Sequence, residues 1–236
     1  FDANVNGTLN ILEACRKKKI KKFIYAASAS CYGLPKKFPT SEKSLIDTQY
    51  PYAMTKYLGE KLVMHYAKIY KMPNISFRFF NVYGPRSRTT GAYGAVFGVF
   101  FAQKLSNKPL TIVGDGKQTR DFIHVYDLVS AIIKTTKSKL KNKIYNLGSG
   151  KEVSVNKIAK LIGGKKISIP KRPGEPDRSC ANISKIKSEI GWTPKIDINK
   201  GVKTLLVNIN DWKKAPVWTP KKINVVTKEW FQFLKK

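Results

Sequence analysis

Apolar and polar positions along the chain follow two periods. In FDANVNGTLNILEACRKKK the apolar residues Val5, Leu9, Ile11, Leu12 and Cys15 recur at the spacing of a helix face, with a basic run behind them. KKFIYAAS is a short apolar run ending in small residues, as a strand would be, and NISFRFFNVYG repeats that form after a helix predicted from Tyr52 to Tyr70. Helix, strand, helix, strand predicts an α/β fold on a doubly wound parallel sheet. Beyond it the pattern predicts a helix over Val96 to Leu105, strands at Leu110 to Val113 and Asp121 to Val125, and a helix from Val125 to Thr136. A strand at KIYNLG, a short helix from Ser154, the loop PKRPGEPDRS, a helix before GWTPK and a terminal helix from Val225 to Leu234 complete the series. The chain begins in mid-element, so a preceding segment is expected.

At 236 residues and 42% apolar content the chain can bury one sizeable core or two modest ones. Its longest nearly unbroken apolar run, 92–102, is about half of the ~20 residues a membrane-spanning helix needs. With no basic, apolar leader at its start, a soluble cytoplasmic protein is expected. Cys15, Cys31 and Cys180 are scattered, without C-x-x-C or a neighbouring histidine, so neither a disulfide framework nor a metal site is expected. The net charge of +30 invites a nucleic-acid reading, but only seven of the 45 basic residues are arginine and the lysines are spread along the whole chain. A solvated lysine surface is expected instead, one that would attract an anionic substrate.

Tyr52 and Lys56, four apart on a predicted helix, share a face. An ammonium near a phenol lowers its pKa from about 10 and makes it a usable general base. Tyr32/Lys36 and Tyr57/Lys61 have the same spacing, but the first spans Gly33 and Pro35 and reads as a turn, and the second lies on another face of the helix. Upstream, the strand of AASASCYG ends in Ser28 and Ser30, at the carboxyl edge where open parallel sheets bind ligands. Hydroxyls there would bond a substrate hydroxyl undergoing oxidation and relay its proton, although the tripeptide by itself also suits a serine-rich turn.

DANVNGTLNILEAC, AASASCYG, YAMTK, RFFNVYGP, GDGKQTRDFIHVYDL, YNLGSG and RPGEPDRS stand in the order and spacing of the nucleotide-sugar epimerases and dehydratases. From its first residue to about residue 195 the chain resembles these NAD-dependent extended short-chain dehydrogenases. The resemblance implies a Rossmann-type domain, its N-terminal strands missing, over residues 1–82 with 121–150 returning to it. It also implies a smaller α/β sugar-nucleotide domain over 83–120 and 151–236. By the same resemblance Tyr52 is the base, Lys56 its electrostatic helper and a ligand of the nicotinamide ribose, and Ser28 the hydroxyl partner of the sugar. Phe80 falls on the cofactor side; Ser30 and Asn81 on the sugar nucleotide; Arg120 and Arg172 on diphosphate or nucleotide; Glu175 on a ribose hydroxyl. Asn81 also suits a turn cap, and Arg120 with Asp121 a surface ion pair. His124 is expected in the core and His65 on a helix surface. A homodimer is implied, through a four-helix contact of the helices near Val5–Lys17 and Tyr52–Tyr70.

The family's opening strand and G-x-x-G-x-x-G turn, whose amides hold the cofactor pyrophosphate, do not occur in these 236 residues. The glycines of GAYGAVFG follow no predicted strand and do not replace that turn. The 236 residues alone are therefore expected to be inactive and not to retain NAD, which leaves an inactive sugar-nucleotide-binding fragment as an alternative. Dehydratases of the family place an Asp-Glu pair where this chain has Ala29 and Ser30, so dehydration lacks its acid and base. Serine-alanine-serine resembles the 4-epimerases, which implies inversion at C4 of a UDP-hexose through a 4-keto sugar; a reductase using the same tyrosine and lysine stays open.

Overall fold

The structure is a computed structural model in which residues 1–87 and 96–234 are described. After a π-helical turn at Asp2–Asn6, the elements run α1 (Gly7–Lys17), β1 (Phe23–Ser28), a 3-10 turn (Ala29–Tyr32), α2 (Pro51–Ile69), β2 (Asn74–Phe79), β3 (Asn81–Tyr83) and α3 (Val96–Leu105). Then come β4 (Leu110–Val113), β5 (Thr119–His124), α4 (Val125–Thr136), β6 (Lys143–Leu147), β7 (Glu152–Ser154) and α5 (Val155–Ile162). The series ends with β8 (Lys166–Ile169), α6 (Ser184–Ile190), α7 (Ile198–Val207), a 3-10 turn (Ile209–Trp212) and α8 (Pro220–Leu234).

β1, β2 and β6 form a parallel sheet in that order, with Ser28 opposite Phe79 and Phe79 opposite Leu147. One face is covered by α1 and α2 through Leu12, Val63 and Tyr66, the other by α4 and α6 through Leu128, Ala131, Ile186 and Ile190. Helices on both faces explain why β2 is buried along nearly its whole length. A second core gathers Tyr83, Phe97, Phe100, Phe101, Leu110, Ile112 and Ile158 around two small sheets, β3-β5-β7 and β4-β8.

NISFRFFNVYG, expected as one strand, is two: after Phe79 the chain leaves the parallel sheet, the Phe80 N–H donates to the Leu147 carbonyl at 3.0 Å, and β3 pairs with β5 instead. Segment 121–150 divides in the same way, because β5 stands between β3 and β7 while α4 and β6 join the large sheet. The terminal helix starts at Pro220, five residues earlier than expected, where Thr219 Oγ1 accepts the Lys222 N–H at 3.4 Å and Pro220 suits a first turn. Of the apolar run 92–102, residues 92–95 lie outside the described residues, as do Gly91 and Gly94 of GAYGAVFG.

Ser76 and Arg78 of β2 are tied together through Glu60. Glu60 of α2 accepts from Ser76 Oγ at 3.0 Å, Arg78 Nε at 3.0 Å and Arg78 Nη2 at 2.6 Å. Arg78 Nη1 donates to the Tyr32 hydroxyl at 2.9 Å and the Glu42 carbonyl at 3.1 Å. The Arg78 and Glu60 side chains are 5% and 2% exposed. Arg78→Met leaves a buried carboxylate unpaired and should lose about 3–5 kcal/mol in urea unfolding, part of it recovered in the Glu60→Gln/Arg78→Met double variant. A loss under about 1 kcal/mol, the range of exposed pairs, would show that the pair is not sealed from water.

Candidate active site

At the end of β1 the sequence order Ser28, Ser30, Tyr32, Gly33 has a physical reading. Ser28 caps the following turn, its Oγ accepting the Ser30 N–H at 3.2 Å and the Ser30 hydroxyl at 2.8 Å. With its oxygen engaged twice, its own proton is left to donate outward. Tyr32 turns inward and donates to Asn146 Oδ1 at 2.7 Å. Gly33, at φ 61°, bends the chain where an added Cβ would run into the Asp47 carbonyl.

Tyr52 stands in the first turn of α2, beside Pro51. It is 50% exposed, lines a cavity of 1130 Å³, and its phenol makes no hydrogen bond with the described residues. Lys56, one turn on, does not line the cavity: it is half-buried, with Nζ 5.1 Å above the Tyr25 ring. Burial lowers its pKa below the ordinary 10.5, and no carboxylate or carbonyl among the described residues accepts its protons.

Eight of the nine expected residues line this one cavity: Ser28, Ser30, Tyr52, Phe80, Asn81, Arg120, Arg172 and Glu175. Phe80 is buried at the break between β2 and β3, and Asn81, the first residue of β3, is exposed. Among the charged residues that line it, Arg172 Nη1 pairs with Glu175 at 3.0 Å and Arg120 Nη2 with the same carboxylate at 3.5 Å. Arg120 Nη1 also donates to the carbonyls of Thr119 and Pro176, at 2.9 and 2.7 Å. Burial lowers the Arg120 pKa, opposed by Glu175. Two guanidiniums sharing one carboxylate keep a net positive charge suited to a polyanion.

The surface pairing of Arg120 with Asp121 does not occur. Asp121 is fully buried and accepts from Ser149 N–H and Oγ, Gly150 N–H and Ala181 N–H at 2.6–2.9 Å. Burial raises its pKa, and those donors pull it back. His124 is in the core, its Nδ1 accepting the Tyr126 N–H at 3.2 Å as the cap of α4, and His65 is exposed. Burial pushes Cys31 up to about 12 and Cys180 to about 11, so neither offers a thiolate at neutral pH. The described residues contain no group of three His, Cys, Asp or Glu able to hold a metal ion. Tyr50, Trp218 and Trp230 also line the cavity. Sequence reasoning missed them: Tyr50 has a signal only in hindsight, two residues before Tyr52, and the two tryptophans lie in a tail that matches no motif.

The model of the NAD dependent epimerase/dehydratase family matches residues 1–148. A putative UDP-glucose 4-epimerase of Methanocaldococcus jannaschii is 38% identical over 220 residues, 90% of this chain and 70% of that protein. The crystal structure of the UDP-glucuronic acid 4-epimerase from Bacillus cereus, in complex with UDP-glucuronic acid and NAD, has a TM-score of 0.82 at 32% identity over 89% of this chain and 68% of that one. The UDP-glucose 4-epimerase of Thermotoga maritima with UDP-glucose has a TM-score of 0.82 at 30% identity, over 90% and 70%. The chain spans about two thirds of the length of the relatives it matches. The family match covers more than half of the sequence and agrees with the scaffold shared with these structures, and the chain belongs to the NAD dependent epimerase/dehydratase family.

Proposed function

We propose that this chain carries the catalytic and sugar-nucleotide portion of an NAD-dependent epimerase that inverts C4 of a UDP-hexose through a transient 4-keto sugar. The observation that carries the reading is a single cavity lined by two chemically distinct sets of side chains. Ser28, Ser30 and Tyr52 form an acid–base end of hydroxyls, and Arg120, Arg172 and Glu175 an end for the diphosphate and ribose. Tyr52 would take the C4 hydroxyl proton, Ser28 would donate to the same oxygen and hold it, and Lys56, one turn on, would bring a positive charge and a donor to the nicotinamide ribose. Bound NAD would supply a reversible hydride acceptor, restored within each turnover. The residues present fit its nicotinamide end. They stand at the carboxyl edge of β1 and β2, with Phe80 as a wall, and the half-buried Lys56 has no acceptor among the described residues. Ala29 and Ser30 offer no carboxylate for dehydration. The cofactor side of this reading takes residues 1–82 and 121–150, with β5 reassigned to the substrate side, and the substrate side takes 83–120 and 151–236.

The reading extends to a cytoplasmic homodimer. Among the described residues no helix is long and apolar enough to cross a membrane, and all three cysteines are free. Ile11 of α1 and Met54 and Ile69 of α2 are 55%, 46% and 53% exposed, apolar surface that a four-helix contact would cover.

In the full-length protein loaded with NAD, Tyr52→Phe should lower kcat for UDP-glucose and UDP-galactose interconversion about 10²–10⁴-fold with sugar-nucleotide binding retained. A protein that binds NAD and a UDP-hexose yet interconverts no C4 epimers overturns the reading. Lys56→Met should abolish turnover while the Tm of the apo protein stays level or rises by up to about 3 °C. The lowered Lys56 pKa disfavours the charged folded form, a penalty that disappears as pH rises through that pKa toward 10.5, so the Tm gap should close there. A marked fall in Tm would mean that Lys56 serves packing. Sedimentation should show a dimer, and a monomer at micromolar concentration would refute the four-helix contact.

A further inference from the structure

The C-terminal helix adds nothing to the parallel sheet, yet one of its faces is a wall of the cavity. Ile223, Val226, Glu229, Trp230, Phe233 and Leu234 all line it, and their spacing of three and four residues is a single helical stripe. The stripe is fastened through Trp230. Its ring lies 5.5 Å from that of Tyr50, tilted by 42°, and its Nε1 donates to the Pro173 carbonyl at 2.6 Å. Tyr50 lines the cavity beside the hydroxyl end: burial raises the pKa of its phenol, and hydrogen bonding with Ser30 partly offsets that. Pro173 lies between Arg172 and Glu175, in the loop that forms the charged end. One indole therefore touches both ends. Just before the helix, Trp218 lines the same wall; its carbonyl accepts from Gln103 Nε2 at 2.7 Å. Trp218 Nε1 is buried without a partner among the described residues, a donor that a ligand acceptor would satisfy.

Resting on the sugar-nucleotide reading of this cavity, we infer that segment 218–234 is a substrate-enclosing wall and that Trp230 is a positioning residue. Trp230 sets the span between the hydroxyl end and the arginine end that a nucleoside diphosphate sugar bridges.

A residue that sets this span matters for a ligand reaching both ends and little for one reaching only the arginine end. Calorimetry on the full-length, NAD-loaded protein with UDP and with UDP-glucose separates the two. Wild type should bind UDP-glucose more tightly than UDP. In Trp230→Ala that preference should fall about tenfold, toward equality, with NAD content and circular dichroism unchanged. Trp230→Phe keeps a ring against Tyr50 without the bond to Pro173, and should lose an intermediate share; it carries the test where the alanine variant does not stay folded. Variants that keep the wild-type preference, or that lose affinity equally for both ligands, overturn the inference and leave the sugar-nucleotide reading standing. A wild-type protein without preference for UDP-glucose over UDP also overturns it. A wild-type protein that binds neither ligand overturns the UDP-hexose reading itself, and the inference with it.

Discussion

Burying an ion pair strips water from both charges, a penalty of several kcal/mol per ion, and a fold offsets it only where the lone pairs and N–H groups find partners. Glu60 and Arg78 meet that condition, with Ser76, Tyr32 and the Glu42 carbonyl as the further partners. Their geometric consequence is large. Tyr52, Lys56 and Glu60 stand at intervals of four residues, so they follow one stripe of α2 that drifts by about 40° per step. Holding Glu60 against β2 therefore sets the rotation of the helix that aims Lys56 and Tyr52. The same guanidinium fixes the opposing side, because Tyr32 closes the turn that Ser28 opens. From Tyr32 the network passes to Asn146, whose Nδ2 donates to the Thr40 carbonyl at 2.8 Å and so holds the loop between that turn and α2.

This explains what the sequence could and could not disclose. The helices and strands of the large sheet were legible because apolar residues line their buried faces, and the edges of β4 and α4 were read to the residue. β8 was not, since its polar–apolar alternation lasts only four residues, three of them exposed, on a two-stranded sheet. α7 has Ile198, Val202 and Leu205 on one face, but Gly201 obscures the helix; the glycine is there because a Cβ would collide with the Tyr83 hydroxyl. An apolar run such as NISFRFFNVYG states that it is buried and not which sheet it joins.

At the site, motif context singled out Tyr52, which lines the cavity with Ser28 and Ser30, where spacing could not. Tyr57 and Lys61 have the same spacing and also meet, with the ammonium 5.8 Å over the ring, on a face with no part in the cavity. The ion pair of Arg172 with Glu175 is local in sequence, whereas the approach of Arg120 to the same carboxylate depends on how β5 meets the loop. The contact of Tyr50 with Trp230 joins positions far apart in the sequence, and nothing local encodes it.

The chain's +30 charge belongs to a different length scale. Spread over exposed lysines, it acts through solvent and fades over a Debye length of about 8 Å at physiological salt, so it steers an anion without choosing one. In the proposed reaction choice belongs to the cavity, which is lined by the arginines as one group and the hydroxyls as another. Charge-assisted bonds are about twice as strong as neutral ones, so a ligand spanning both walls is anchored at the arginine wall and held loosely at the hydroxyl wall. The proposed reaction needs that asymmetry: the 4-keto sugar must leave Ser28 and Tyr52, rotate and return with its other face forward, while the diphosphate keeps the molecule from escaping. A site with equal grip at both ends would hold the ketone in one orientation and return hydride to the face that lost it. The weakness of the hydroxyl end is therefore as much a condition of epimerisation as the strength of the arginine end.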